Sequence, residues 1–203
     1  MIMNTLQRSL AILILTVTAM SGCSLQPPVP EDHFYRLPAA TLKADKVLTS
    51  HITVKRFKTD GLHSERPLLF SGHDKPLSLK QYHYHFWTDA PPRMLQEHLI
   101  SALRKSGIAG IVSNYDPAHR DGYIISGKIR RFEQVSRGKE NKVSIDLELR
   151  LDDDRGKIVL VKDYYSERTA TSASPHDLVT AFGDALTDIY KEFLKDWKGI
   201  PAN

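Results

Sequence analysis

The chain has 203 residues, of which 26% are charged and 41% are hydrophobic, and its formal net charge is +4. A small positive excess that is spread along the chain is not typical of a nucleic-acid-binding protein, so we expect no nucleic-acid partner. The single cysteine, Cys23, has no disulfide partner within the chain.

The N-terminal segment has the pattern of an export signal. Met1–Arg8 carries one positive side chain, and Ser9–Met20 is an uncharged, mostly apolar run. This run is shorter than the roughly 20 residues that a membrane-spanning helix needs, and its length suits the apolar region of a signal peptide. It ends in "MSGC", where two small residues directly precede Cys23. We therefore predict a signal peptide over residues 1–22.

The surroundings of Cys23 resemble a bacterial lipobox, in which the cysteine thiol is lipidated and the peptide is cut before it. Met20 stands where Leu is usual, but both side chains are apolar and close in volume. Several acyl chains on one cysteine anchor a protein durably. An Asp after the cysteine commonly signals retention at the inner membrane, and this chain has Ser24, so the resemblance implies the periplasmic face of the outer membrane. The alternative is an ordinary signal peptide with an incidental cysteine.

Beyond the cysteine we predict a tether and one domain. Ser24–Asp32 is polar and rich in proline, and such a segment extends by about 3.1 Å per residue, which gives a tether roughly 25 Å long. Without residues 1–22 the chain keeps 181 residues, enough for one sizeable domain and short for two. We assign the lipidated cysteine and tether to residues 23–32 and a single domain to residues 33–203.

The first half of this domain contains four segments with the composition of β-strands. They are His33–Leu37, His51–Phe57, Arg66–Gly72 and Leu77–Trp87.

A helix follows the fourth strand. Asp89 is the predicted N-cap, and Pro91 and Pro92 are tolerated only in a first helical turn. Apolar side chains then recur at helical spacing, and Gly107 is the predicted end of the helix.

The second half of the domain begins with a predicted antiparallel meander. Val143–Leu151 alternates strictly between apolar and polar residues, as a half-buried strand does. Hairpin-like turns flank it at Ser136–Asn141 and Asp152–Gly156, and the neighbouring strands are Gly122–Val135 and Lys157–Arg168.

The last segment is a second amphipathic helix. Ser174 as N-cap, Pro175 at the first position and Asp177 at the third resemble a capping box. The order of strands, helix, strands and helix predicts an α+β fold. We expect a mixed, largely antiparallel sheet with both helices packed on one face.

His83 and His85 are the first candidates for chemistry. In a regular strand their side chains point to the same face, where two imidazoles could share a zinc ion. A catalytic zinc site needs a third protein ligand, for which only His63 and His73 lie near enough in sequence to be conceivable. The alternative is a half-exposed structural strand, with Tyr82, Tyr84 and Phe86 on the opposite face, and we predict no metal and no cofactor.

Two other patterns have simpler explanations. Phe70–Asp74, "FSGHD", contains Ser, His and Asp, but the members of a catalytic triad meet through the fold rather than as neighbours in sequence. No G-x-S-x-G motif is present. Ile129–Lys139 is a basic strand and turn that could contact phospholipid headgroups or an acidic partner, or could be solvated surface.

Several segments together resemble one family, the ABC-type transport auxiliary lipoproteins. The segments occur in the order that is typical of this family. They are the lipobox, "HFYRLPA" (His33–Ala39), "ITVKRF" (Ile52–Phe57), "RPLLFS" (Arg66–Ser71) and the aromatic strand with its helix (Tyr82–Gly107). The most specific part is Trp87 followed by "DAPPRML" (Asp89–Leu95).

The resemblance implies a non-enzymatic lipoprotein that accompanies a transporter of the mammalian-cell-entry (MCE) type. In such systems a permease and an ATPase work with an MCE-domain substrate-binding protein to move lipids between the inner and outer membranes. The resemblance also implies a fold similar to the N-terminal domain of the periplasmic Tol translocation protein. Tyr82, Tyr84, Phe86 and Trp87 would then be structural, or contact a partner. A ring-shaped homo-oligomer would suit such a system.

Two further functions remain open from the sequence. An outer-membrane assembly lipoprotein that plugs or chaperones a β-barrel, as in lipopolysaccharide assembly, also combines a lipobox, a sheet and two helices. A periplasmic metallohydrolase using His83 and His85 is the enzymatic alternative.

Overall fold

A computed structural model of the chain describes residues 29–118, 121–138 and 140–200. The chain divides into two units at residue 31, and the fold is that of the second unit, which begins at residue 32. The predicted signal peptide and Cys23 lie outside the described residues. No helix in the described part of the chain is long and apolar enough to cross a membrane.

The described residues contain nine strands, two α-helices and a short 3₁₀ helix. The strands before the first helix are β1 (His33–Tyr35), β2 (Thr49–Val54), β3 (Lys58–Thr59), β4 (Pro67–Gly72) and β5 (Lys75–Trp87). The later strands are β6 (Ala109–Asn114), β7 (Tyr123–Arg137), β8 (Glu140–Asp152) and β9 (Ile158–Thr169). The helices are α1 (Pro91–Ser106), α2 (Pro175–Lys198) and the 3₁₀ helix Gly61–Ser64.

The long strand β7 organises the sheet. One of its edges pairs with β8, which pairs with β9, and both pairings are antiparallel, so the predicted meander is confirmed. The other edge pairs in parallel with β2, β3 and β4 in succession. β6 continues the sheet beyond β2, while β5 and then β1 continue it beyond β4. The fold is α+β with a mixed sheet, as predicted, but strands β3 and β6 were not anticipated.

Helix α1 begins one residue later than the sequence suggested. Its N-cap is Ala90, which contributes no side-chain hydrogen bond, and Pro91 and Pro92 occupy the first turn. Asp89 instead accepts a hydrogen bond from the Ala90 backbone N–H at 2.8 Å. Gly107 ends the helix with φ = 72°, a left-handed conformation that glycine adopts without steric cost.

Helix α2 begins as predicted. The Ser174 hydroxyl accepts a hydrogen bond from the Asp177 backbone N–H at 3.2 Å, which satisfies one of the amide groups left free at a helix start. One contact between the two helices is that of the His98 ring in α1 with the Tyr190 ring in α2, whose centroids lie 5.7 Å apart.

The core lies between the sheet and the two helices. The alternating apolar residues of β8 are fully buried, and they are Val143, Ile145, Leu147, Leu149 and Leu151. Trp87, Phe132 and Phe182 join β5, β7 and α2 through ring contacts, with centroid distances between 4.6 and 5.4 Å. These contacts fix the end of β5, and with it the hairpin that β5 forms with β4.

Candidate functional site

The β4–β5 hairpin carries the aromatic segment that the sequence singled out, and its pairing is irregular. Pro67 pairs with Phe86, but Leu69 pairs with Gln81, so residues 82–85 of β5 lie opposite Leu68 alone. Such a bulge re-aims side chains. The rings of Tyr82 and His85, which strict alternation places on opposite faces, are 5.5 Å apart and edge to face.

His85 belongs to a cluster that holds β1 against β5. Its Nδ1 is 2.9 Å from the Tyr35 hydroxyl, and its ring stacks on that of His33 with centroids 5.3 Å apart. Burial lowers the pKa of His85, and the nearby charge of His33 lowers it further. The histidine therefore stabilises the β1–β5 pairing best in its neutral form.

The structure does not assemble the zinc site considered from the sequence. The histidine beside His85 is His33, whereas the ring of His83 contacts Tyr84 at 6.3 Å. His63 lies next to Glu133, in a different part of the sheet. Among the described residues, no group of three or more His, Cys, Asp or Glu side chains could hold a metal ion.

The four aromatic residues predicted to contact a partner differ in accessibility. Trp87 is only 1% exposed, so it is a core residue and is not available to a partner. Phe86 is half-buried and stacks on Phe34 with centroids 5.7 Å apart. Tyr82 is half-buried, with its hydroxyl donating a hydrogen bond to Gln134, whereas Tyr84 is 44% exposed.

An open groove of about 620 Å³ runs along this hairpin. Its lining residues are Phe70, Lys80, Gln81, Tyr82 and His83. The rings of Phe70 and Tyr82 lie 4.9 Å apart and form its apolar part, while Lys80 brings a positive charge. An apolar wall beside a cation suits an amphiphilic ligand with a negative group better than a purely polar one.

A polar cluster on β4, β7 and the 3₁₀ helix was not predicted from the sequence, and it joins buried Ser71 and Glu133 to half-buried His63. The Ser71 hydroxyl donates to Glu133 Oε1 at 2.9 Å, and His63 Nε2 lies 3.7 Å from Glu133 Oε2. Burial raises the pKa of Glu133, but His63, Ser71 and the charge of Arg131 outweigh burial and lower it overall. No local sequence signal joins these residues, because they lie on three separate elements.

This cluster does not have the order of a catalytic triad. In a triad the histidine lies between the serine and the carboxylate and takes the serine proton. Here the carboxylate of Glu133 lies between Ser71 and His63, and Ser71 is buried. The backbone N–H of His73, from the same "FSGHD" segment, donates a hydrogen bond to the Ser136 carbonyl at 2.9 Å. The arrangement suits structural pairing of β4 with β7.

Part of the positive charge predicted on β7 is neutralised within the fold. Arg130 forms ion pairs with Glu148 of β8 and Asp163 of β9, the latter at 3.1 Å. The exposed surface of the meander is therefore a mixed-charge surface at this point.

Comparisons with known proteins identify the family. The model of the ABC-type transport auxiliary lipoprotein component family matches residues 69–192. No curated protein matches the chain. The solved structure of protein XCC0632 from Xanthomonas campestris, of the DUF330 family, is similar with 19% identity and a TM-score of 0.69, covering 80% of this chain and 92% of that one.

A second solved structure, of an uncharacterized protein, has 13% identity and a TM-score of 0.68, covering 82% of this chain and 99% of that one. At these identities the two structures show the shared fold alone. The family match begins within β4 and ends within α2, so it includes the groove, helix α1 and most of helix α2. The chain belongs to the ABC-type transport auxiliary lipoprotein component family.

Proposed function

We propose that this protein is a lipid-anchored, non-catalytic auxiliary component of an ABC transporter of the MCE type, which moves lipids between the inner and outer membranes. The observation that carries the proposal is the family match over residues 69–192. The partners are an MCE-domain substrate-binding protein, a permease and an ATPase. The place is the periplasmic face of the outer membrane, with lipidated Cys23 as the anchor.

The candidate site supports a contact role rather than a chemical one. The groove lined by Phe70 and Tyr82 offers an apolar surface of the kind that accommodates acyl chains, and Lys80 offers a partner for a phosphate. Ser71 and Glu133 are buried, and their cluster with His63 lacks the order that would activate the serine as a nucleophile.

The first experiment is a mild-detergent purification of the tagged full-length protein, with co-purifying proteins and lipids identified by mass spectrometry. Recovery of an MCE-domain protein with its permease and ATPase is the expected result. Recovery of a β-barrel with lipopolysaccharide instead would make the protein an assembly factor and overturn the proposal.

A charge reversal tests the groove in the same purification. Lys80→Glu should lower the amount of co-purifying phospholipid, because it places a negative charge where a phosphate would bind. Lys157→Glu, an exposed lysine on the β8–β9 turn, is the matched control. Equal loss of phospholipid from both variants would mean that the groove is not the lipid contact.

A further inference from the structure

The tip of the β4–β5 hairpin projects an apolar side chain into solvent. Ser71 pairs with Leu79 and Gly72 pairs with Lys75, so the residues between Lys75 and Leu79 bulge out of the ladder. Leu77 lies in the middle of this bulge and is 100% exposed. A single exposed leucine is ordinary on a protein surface, so it indicates a binding surface only in combination with its charged neighbours and its position.

The charges at the tip favour an anionic surface. Lys75 and Lys80 flank Leu77 and both are exposed, while Asp74 is the one carboxylate between residues 73 and 80. Lysines whose stems cover apolar surface while their ammonium groups stay in water are typical of membrane interfaces. An apolar point between two cations therefore matches the headgroup layer of a membrane that contains anionic lipid.

The direction of β1 shows which end of the sheet the N-terminal chain approaches. β1 is parallel to β5, with His33 paired to His85. The polypeptide therefore enters β1 from the end of the sheet at which β5 begins, and that end carries Leu77. Eight positions separate Leu77 from His85, which is at most roughly 26 Å along a strand.

The reach of the predicted tether matches this distance. Ser24–Asp32 would span roughly 25 Å when extended. The predicted tether is therefore long enough for one membrane to hold both the lipidated cysteine and the hairpin tip. Because an anchored domain has a high effective concentration at its own membrane, a weak contact is enough to orient it.

We propose that the tip around Leu77 docks into the headgroup layer of the membrane that holds the lipid anchor, with Lys75 and Lys80 on anionic headgroups. This inference rests on the lipid-anchored part of the proposed function. Docking orients the domain as a second attachment point. It also brings the groove beside Lys80 and Tyr82 to the lipid surface, so the amphiphile that enters the groove is a membrane lipid.

The test uses the full-length lipidated protein in vesicles of phosphatidylethanolamine and phosphatidylglycerol. Leu77→Cys is labelled with bimane, and quenching by doxyl-labelled lipid is measured. The matched control is Val161→Cys on β9, which replaces a 53% exposed apolar residue. We expect severalfold stronger quenching at position 77 than at position 161. Equal quenching at the two positions would overturn the proposal and would favour a protein partner as the ligand of the tip.

A second variant excludes insertion driven by the bimane itself. Adding Lys75→Glu and Lys80→Glu to Leu77→Cys should abolish most of the quenching at position 77, and unchanged quenching would contradict the role of the lysines. Flotation of the vesicles separates the two levels of failure. If the protein floats with the vesicles but position 77 is not quenched, only the docking proposal is contradicted. If the protein does not float, both the predicted lipid anchor and the docking proposal are contradicted.

Discussion

The ring of Trp87 lies edge to face against the ring of Phe182, with centroids 5.4 Å apart and planes at 79°. This contact joins the last residue of β5 to the N-terminal third of α2, and Phe132 of β7 completes the cluster. Edge-to-face pairs contribute beyond the area they bury, because the positive edge of one ring meets the negative face of the other. The hairpin that carries the candidate site is therefore fixed at its base by core packing.

Trp87→Ala should destabilise the domain strongly. Truncation of a large buried aromatic side chain typically costs about 3–5 kcal/mol in free energy of unfolding, and chemical denaturation measures this loss. Tyr84→Ala, three residues earlier on the same strand, removes a 44% exposed ring and is the matched control, with little expected change. Similar losses for the two variants would contradict the placement of Trp87 in the core.

Gly183→Ala should also destabilise the domain, although alanine is normally better than glycine inside a helix by roughly 0.5–1 kcal/mol. A Cβ on Gly183 would come within 2.3 Å of Pro38 Cγ and 2.9 Å of Pro38 Cδ. Overpacking of this kind typically costs about 1–3 kcal/mol, so we expect a net loss in free energy of unfolding.

The double variant Gly183→Ala with Pro38→Ala is the control for this clash. Without the proline ring the added methyl group has space, so Gly183→Ala should cost less in the Pro38→Ala background than in the native one. A stabilising Gly183→Ala in the native background would mean that the segment at Pro38 does not pack on α2.

Glu133 should contribute to stability at neutral pH and lose that contribution in acid. Its pKa is lowered from an ordinary value of 4.5, so the unfolded chain binds a proton at a higher pH than the folded protein does. The stabilisation is therefore fully present above about pH 4.5 and is lost as the pH falls through the lower folded-state value. Glu133→Gln should lower the melting temperature at pH 7 and flatten its decline below pH 4.5.

The comparison for this variant is Glu140→Gln, which changes an exposed carboxylate at the start of β8. Its melting curve should follow the native protein over the whole acid range, because exposed ion pairs contribute little. A decline with pH that is as steep in Glu133→Gln as in the native protein would show that Glu133 is not the group responsible.

The parts of the fold that the sequence predicted are those with strong local signals. β8 shows strict alternation because one of its faces is covered by helix α2, and α2 shows a capping residue and a continuous apolar stripe. β6 lacks such a signal: Val112 is its one buried apolar residue, Ile111 is exposed, and its pairing is with the distant β2. Parallel partners far apart in sequence leave no local pattern to recognise.

The candidate site was located in sequence, but its geometry was not predictable. The aromatic segment of β5 was recognised, yet the bulge at residues 82–85 broke the alternation that placed Tyr82 opposite to His85. Ser71 and Glu133 are 62 positions apart and meet only because β4 pairs with β7. Periodicity predicts which face a side chain occupies within a regular element, whereas bulges and long-range pairing depend on the tertiary fold.

Cys23→Ala should release the protein from membranes without unfolding it. The thiol is the predicted attachment point of the lipid anchor, so its removal leaves Leu77 and its lysines as the one remaining predicted attachment, which is weak and sensitive to salt. Fractionation with a high-salt wash, followed by circular dichroism of the soluble protein, measures both effects. Ser24→Asp is the matched variant, because it keeps the thiol and changes the residue that is predicted to direct sorting.

The two variants have opposite expected outcomes. Cys23→Ala should appear in the soluble fraction, whereas Ser24→Asp should remain with membranes and shift from the outer to the inner membrane in a density gradient. Retention of Cys23→Ala after the salt wash would mean that a tightly bound partner or the hairpin tip holds the protein without the lipid anchor. The bimane measurement at position 77 then separates these two, since only contact of the tip with lipid gives quenching in vesicles that contain no other protein.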